Sequence, residues 1–284
     1  MTHTLLPGIS IALLGISLIA FAPVVIKLIS ANVATIGIAR LLIAIAAIAV
    51  WLVLKRERLS LNWQQLSRLL VIGVAFGLHW LTFFISIKES TASLAAIGLS
   101  TYGIFLLSLG WYFLGTRPQL IHWGAIGLAC VGVLCVTPHF SLESQHTRGF
   151  LIGILSGFCY AFLPILHQRN QNIPLTLRTL GQFAFALPIF LVLLPQTNWQ
   201  LPITDWAWLV FLGLVSTTLG HGLWVKATTL LPTTLIGGLF YAGVPCSMLL
   251  SVIMLDEQMT PGMLIGASLI ILSNLIVIWK SKTR

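Results

Sequence analysis

The sequence predicts an all-α polytopic membrane protein with ten transmembrane helices, arranged as two inverted five-helix repeats. Three observations predict it. The chain of 284 residues is 58% hydrophobic and only 7% charged, whereas soluble domains carry about 25% charged residues. Its apolar segments are long and continuous, unlike the ten-residue alternating strands of a membrane barrel. Residues of one half recur at nearly constant offset in the other.

A helix needs roughly 20 apolar residues to cross the hydrocarbon core, which places the first five spans at roughly 8–29, 32–54, 69–87, 91–114 and 121–137. The next five fall at roughly 149–167, 175–195, 206–225, 233–255 and 262–279. The first span holds Phe21-Ala22-Pro23 and the second holds Arg40. The third holds His79 and Trp80, the fourth Tyr102 and Gly103, the fifth Gly124 through Gly132. The sixth carries Gly149, Tyr160 and Pro164, and the seventh Pro188. The eighth carries His221 and Trp224, the ninth Tyr241 and Pro245, the tenth Gly266 and Asn274. Turn chemistry separates them, as at Arg117-Pro118, Asn172-Ile173-Pro174 and Thr260-Pro261-Gly262. No break is long enough to hold a soluble domain.

The halves are 1–140 and 147–284. Gly8 answers Gly149, and Phe21-Ala22-Pro23 answers Phe162-Leu163-Pro164 at the same offset. One residue further out of phase, His79 answers His221, and Gly124-Ala125 answers Gly266-Ala267. An odd number of spans per repeat places the second copy upside down, an architecture common among secondary transporters.

With ten spans both termini share one side. That side receives eleven of the fifteen basic residues, the opposite side three, and Arg40 lies within a span. Positive charge marks the cytoplasm. The expectation is a multi-pass protein of the inner (plasma) membrane with both termini cytoplasmic. The net charge of +9 thus reports topology and lipid headgroups, and no nucleic-acid partner is expected. Cys130, Cys135, Cys159 and Cys246 lie in apolar runs without a CxxC pair, so no metal site and no cofactor is expected.

Ionisable groups inside a bilayer are costly and are functional candidates by default. His79 and His221 titrate near neutral pH and are candidates for proton coupling; lining a polar cavity and plain interhelical packing are the other two readings. Arg40 keeps its charge, and either holds a substrate anion or anchors the fold. Trp80, Tyr102, Tyr160, Trp224 and Tyr241 join the two histidines as a substrate-cavity set. Pro23, Pro164 and Pro245 remove backbone hydrogen bonds mid-span, making them candidates for kinks or gating. Lys88-Glu89, at the end of the third span, reads as a rim ion pair. Glycine stripes such as Gly149, Gly153 and Gly157 pack helices within the monomer or mediate a homodimer.

The pattern resembles the drug/metabolite transporter superfamily, in particular its EamA-type branch. The likeness rests on Gly37-Ile38-Ala39-Arg40 early in the second span, and on Gly237-Gly238 through Pro245 to Leu255-Asp256-Glu257, followed by Gly266. The first half departs from it, with Gly103 for the proline and Leu114-Gly115 for Asp256-Glu257. The resemblance implies secondary transport of small molecules, mostly export of metabolites, amino acids or toxic compounds. The chain lacks a Walker A motif, HExxH and GxSxG, and no aspartate lies inside a span, so no enzyme is expected. A non-transporting scaffold and an intramembrane enzyme are the competing classes.

Overall fold

A computed structural model describes residues 6–56, 60–114, 119–136, 141–231 and 233–281. Arg58, Arg117, Lys282 and Arg284 of the charge count lie outside the described residues, as do the side chains of Asn274, Trp279 and Lys280. All regular elements among the described residues are helical. A helix satisfies its backbone internally, as a hydrocarbon solvent demands.

The helices are α1 (Leu6–Ile19), α2 (Phe21–Leu28), α3 (Val33–Lys55), α4 (Trp63–Glu89), α5 (Ala92–Leu99), α6 (Tyr102–Leu114) and α7 (Leu120–Val136). The second half supplies α8 (Gln145–Arg169), α9 (Leu175–Leu191), α10 (Ile203–Phe211), a π-helical segment (Leu212–His221), α11 (Gly222–Leu230), α12 (Thr233–Phe240), α13 (Gly243–Leu255) and α14 (Pro261–Ser281). Among the described residues, seven continuous or once-broken helices are long and apolar enough to cross a membrane: Leu6–Leu28, Val33–Lys55, Trp63–Glu89, Ala92–Phe113, Gln145–Arg169, Ile203–Leu230 and Leu235–Leu255. Trp123–Val136, Leu175–Leu191 and Pro261–Ser273 are shorter apolar helices.

Local chemistry sets the starts. The Asn32 side chain accepts from the Thr35 N–H to cap α3 (2.9 Å). Asn62 and Gln65 form a reciprocal capping box on α4 (2.8 and 3.1 Å), which stops unpaired N–H groups from fraying the first turn. That box starts α4 at Trp63, six residues before hydropathy alone places it. Arg68 therefore belongs to a helix and not to a loop. Arg178, which the charge count assigns to the cytoplasmic side, is buried in the first turns of α9.

Three membrane-length helices break mid-course. Pro23 follows the break at Ala20, and the carbonyls of Leu18 and Ala20 accept from Ser216 (2.7 Å) and Ser247 (2.9 Å). Pro245 lies in the first turn of α13, after the break at Tyr241–Ala242. The counterpart break at Ser100–Thr101 needs no proline. Ser100 and Thr101 donate to the carbonyls of Ile97 (2.7 Å) and Gly98 (2.8 Å), competing with the helical ladder. Pro164 lies inside α8, which runs through it unbroken.

α4 packs on α8 and α9, and α8 also on α5 and α6. Exchanging the halves reproduces the pattern. The π segment and α11 pack on α1, and the π segment packs on α3. α3 meets α9, α5 meets α13, and α7 meets α14. The glycine stripes serve these contacts. A Cβ on Gly149 would stand 2.6 Å from the Ser90 side chain, and one on Gly153 would stand 2.9 Å from Ser86 Oγ. The same register shows that α4 and α8 run antiparallel. α7 and α14 cross at Gly132 and Gly266, where a Cβ on Gly266 would lie 2.6 Å from the Gly132 carbonyl.

Candidate functional site

The seven ring residues proposed from sequence converge. Tyr102 stacks edgewise on Tyr160 (5.3 Å between ring centroids) and Phe240 (4.5 Å), and lies 5.5 Å from Tyr241. Phe240 also meets Tyr160 (4.8 Å) and Trp224 (5.8 Å). His79 lies 4.8 Å from Tyr160. Phe76 links His79 (6.2 Å), Trp80 (4.5 Å) and His221 (5.1 Å). All seven are buried. They come from α4, α6, α8, the π segment, α11 and the α12–α13 break, so both halves of the chain build one aromatic layer.

Sequence reasoning did not find Phe76 and Phe240, which hold the layer together. Nothing in an apolar helix marks one phenylalanine over another, and only the packing selects these two. The Tyr102 hydroxyl donates to the Gly237 carbonyl (2.6 Å). That carbonyl is free because Tyr241 N–H turns to Gly238 at the break. The Tyr241 hydroxyl faces the Gly103 backbone without reaching hydrogen-bond geometry.

Two narrow recesses flank this layer. One is almost wholly apolar and is lined by Ile16, Pro23, Phe83, Leu99, Phe240 and Ser247. The other is lined by Phe76, Tyr160, Pro164, His167, Gln182 and His221, with Trp224 and Thr228 beyond. Phe83 lies two turns beyond Phe76 toward the Lys88 end of α4, and His167 lies at the opposite end of the antiparallel α8. The recesses thus flank the layer on the sides facing opposite ends of the bundle. Pro23 borders one and its sequence counterpart Pro164 the other.

Arg40 sits beside the layer. Its Nε and Nη2 donate to Thr217 Oγ1 (3.1 and 3.0 Å). Its guanidinium carbon lies over the rings of Trp80 (4.1 Å) and Phe84 (5.1 Å). Thr217 reaches it from the π segment, whose widened turn lets Thr217 donate to the Leu212 carbonyl five residues back (2.7 Å). Arg40 Nη1 is buried without a hydrogen-bond partner, and no carboxylate among the described residues bonds to Arg40. Wider π turns recur at functional sites. A run of Ser and Thr in an apolar span, Ser216-Thr217-Thr218, is a sequence signal that could have pointed there and was passed over.

The histidines differ. His79 Nδ1 approaches Ser156 Oγ (2.8 Å), and Ser156 Oγ donates back to the His79 carbonyl (2.9 Å). The serine proton is thereby taken, so His79 Nδ1 carries a hydrogen and donates. His79 stitches α4 to α8. His221 is surrounded edgewise by Phe76, Trp80 and Phe183 and borders the second recess.

At the Lys88 end, Lys27 donates to the carbonyls of Ile87 (3.0 Å), Lys88 (3.2 Å) and Ser90 (2.6 Å). Lys88 donates to the Ile29 carbonyl (2.5 Å). Each lysine caps the other helix's C-terminus, where carbonyls lack intrahelical partners and the dipole favours a cation. This corrects the expected Lys88–Glu89 rim pair. At the other end Gln168, the counterpart of Lys27, donates to the Leu231 carbonyl (3.3 Å).

A bundle of apolar helices long enough to cross a bilayer, enclosing a buried layer of aromatic and ionisable groups between two recesses, defines the class of polytopic membrane transporters. The chain belongs to the EamA-like transporter family, whose profile matches residues 6–137 and again 147–279. It is 25% identical over 260 residues to an uncharacterized transporter, YwfM, of Bacillus subtilis, covering 87% of this chain and 85% of that protein. It is 26% identical over 229 residues to a probable amino-acid metabolite efflux pump of Salmonella typhimurium, covering 75% of this chain and 76% of that one. A solved structure titled only as a crystal structure of a protein shares the fold, with a TM-score of 0.72 at 16% identity and 98% coverage of both chains.

Proposed function

We propose that this protein is a secondary transporter that exports small metabolites, such as amino acids or amphipathic compounds, across the inner membrane by alternating access. Its ten helices cross the bilayer as two inverted repeats, 1–140 and 147–284, with both termini in the cytoplasm. The observation that carries the reading is the aromatic layer: both halves build it, and a recess lies on each side of it. A closed central layer flanked on both sides fits a carrier site that alternating access would expose to each face in turn. The exchangeable helix contacts support the repeat, and so do the paired breaks at Ser100–Thr101 and Tyr241–Ala242. The name of the Salmonella relative supports amino-acid metabolites as cargo.

Arg40 holds the anionic group of the cargo. A buried guanidinium without a carboxylate is costly, and its free Nη1 offers the missing bond to an incoming anion. The broken helices at Pro23 and Pro245 bend during the cycle. The proton-coupling role falls to His221 beside the recess, while His79 is held in its bond to Ser156. Counterflow in proteoliposomes with labelled amino acids, with and without a pH gradient, tests the proposal. Saturable counterflow supports it. Absence of flux across amino acids and a panel of amphipathic metabolites overturns it.

A further inference from the structure

His167 and Gln182 form a polar pair that the sequence reading passed over. His167 stands near the end of α8, in the run His167-Gln168-Arg169, and reads there as a helix terminus. It is in fact 2% exposed, as is Gln182. His167 Nε2 lies 2.6 Å from Gln182 Oε1. An amide oxygen only accepts, so Nε2 carries the hydrogen, and in the neutral ring Nδ1 carries a lone pair. That Nδ1 is buried without a hydrogen-bond partner in the protein, and His167 lines the second recess. An acceptor fixed in orientation by its neighbour, and unpartnered in a side chain that lines a cavity, is a binding feature, because leaving it unmatched is costly.

The surroundings decide what it accepts from. Arg178, from α9, lies behind His167 and donates to its backbone carbonyl (2.8 Å). His221 faces the recess from the π segment, with Arg40 and His79 beyond it. Among the described residues, no carboxylate lines the recess. A cationic donor would therefore meet positive charge with nothing to offset it, and the fitting donor is uncharged. The remaining walls are Phe76, Tyr160, Leu163, Pro164, Trp224 and Val225, with Thr228, whose hydroxyl is spent on the Val225 carbonyl (2.7 Å). They suit the apolar body that carries the donor. The recess admits about one water-sized group, so the donor enters it while the body rests against the aromatic layer.

We propose that this recess is a cargo subsite in which His167 Nδ1 accepts a hydrogen bond from an uncharged N–H or O–H on an apolar or aromatic molecule. Gln182 is the positioning residue that holds the accepting tautomer. The word cargo rests on the transporter reading; the binding itself does not.

Indole and 1-methylindole test it, since they differ in one N–H and neither titrates between pH 5 and pH 8. Binding is measured on the purified full chain in detergent, where no flux is needed. Wild type should bind indole about tenfold more tightly at pH 8, the usual worth of one buried hydrogen bond. His167→Phe should bind both probes alike. Gln182→Leu, which frees the tautomer without removing the ring, should weaken the preference and guards against misfolding of the first variant. Ser247→Ala, in the opposite recess, should keep it. Equal binding of the two probes by wild type, binding of neither, or a preference that survives folded His167→Phe would overturn the proposal. Failure of amino-acid counterflow, with the indole preference intact, would count against the cargo reading of the central site and leave this subsite standing.

Discussion

Replacing Arg40 with methionine separates its two candidate roles. The guanidinium makes a charge-assisted hydrogen-bonding contact to Thr217 and a cation–π contact to Trp80 at 4.1 Å. These are worth roughly 1.5–3 kcal/mol and about 2 kcal/mol. Against them stands the effective cost of burying a cation, several kcal/mol for each ion. Methionine fills a similar volume among Trp80, Phe84 and the aliphatic wall. The substitution also strands no donor, because the Thr217 hydroxyl already donates to Leu212. The terms nearly cancel, so thermal stability should change by no more than about 1 kcal/mol, or roughly 2–4 °C in Tm. Function should not be spared. An anionic cargo loses its charge-assisted partner, which weakens binding about 10- to 100-fold. The assay is half-saturation of counterflow for an amino acid and for its uncharged amide analogue, beside a melting curve. Wild type should favour the carboxylate, and Arg40→Met should lose that preference at nearly unchanged Tm. A drop in Tm of about 5 °C or more, with half-saturation and preference retained, would refute the anion role and make Arg40 a structural anchor.

Other substitutions test the frame around the site. Tyr102→Phe removes the bond to the Gly237 carbonyl that ties the two broken helices, and should cost about 0.5–1.5 kcal/mol in chemical or thermal unfolding. Gly266→Val drives a side chain into the Gly132 carbonyl at the α7–α14 crossing, and should lower stability by about 1–3 kcal/mol. Gly124→Ala, with open space at its Cβ, should leave the melting curve unchanged. Lys27→Met removes three bonds to the end of α4. It should speed maleimide labelling of Ser247→Cys, a residue of the adjoining recess, in a background without the native cysteines. Unchanged labelling would mean that the lysine pair does not hold that end closed.

Composition and run length by themselves determined that the chain is a helical membrane protein, because a bilayer leaves little choice of backbone structure to an apolar sequence. The rule that buried polar groups in a membrane are functional candidates was enough to select His79, His221 and Arg40. Their aromatic neighbours Trp80 and Trp224 followed. What the sequence could not supply was partners. Nothing local says that Arg40 meets Thr217, 177 positions away, or that Lys88 turns to Ile29 instead of its neighbour Glu89. Hydropathy placed Arg178 at the start of a span but not its partners: its donors are met by Ile173, His167 and Thr229. The break at Ser100–Thr101 escaped a search for prolines, since hydroxyls drawn to backbone carbonyls accomplish it instead. His167 passed for a helix end until packing buried it against Gln182. Periodicity and transfer energy act along the chain and are legible there; hydrogen-bond partners across helices depend on register and crossing, which only the tertiary structure decides.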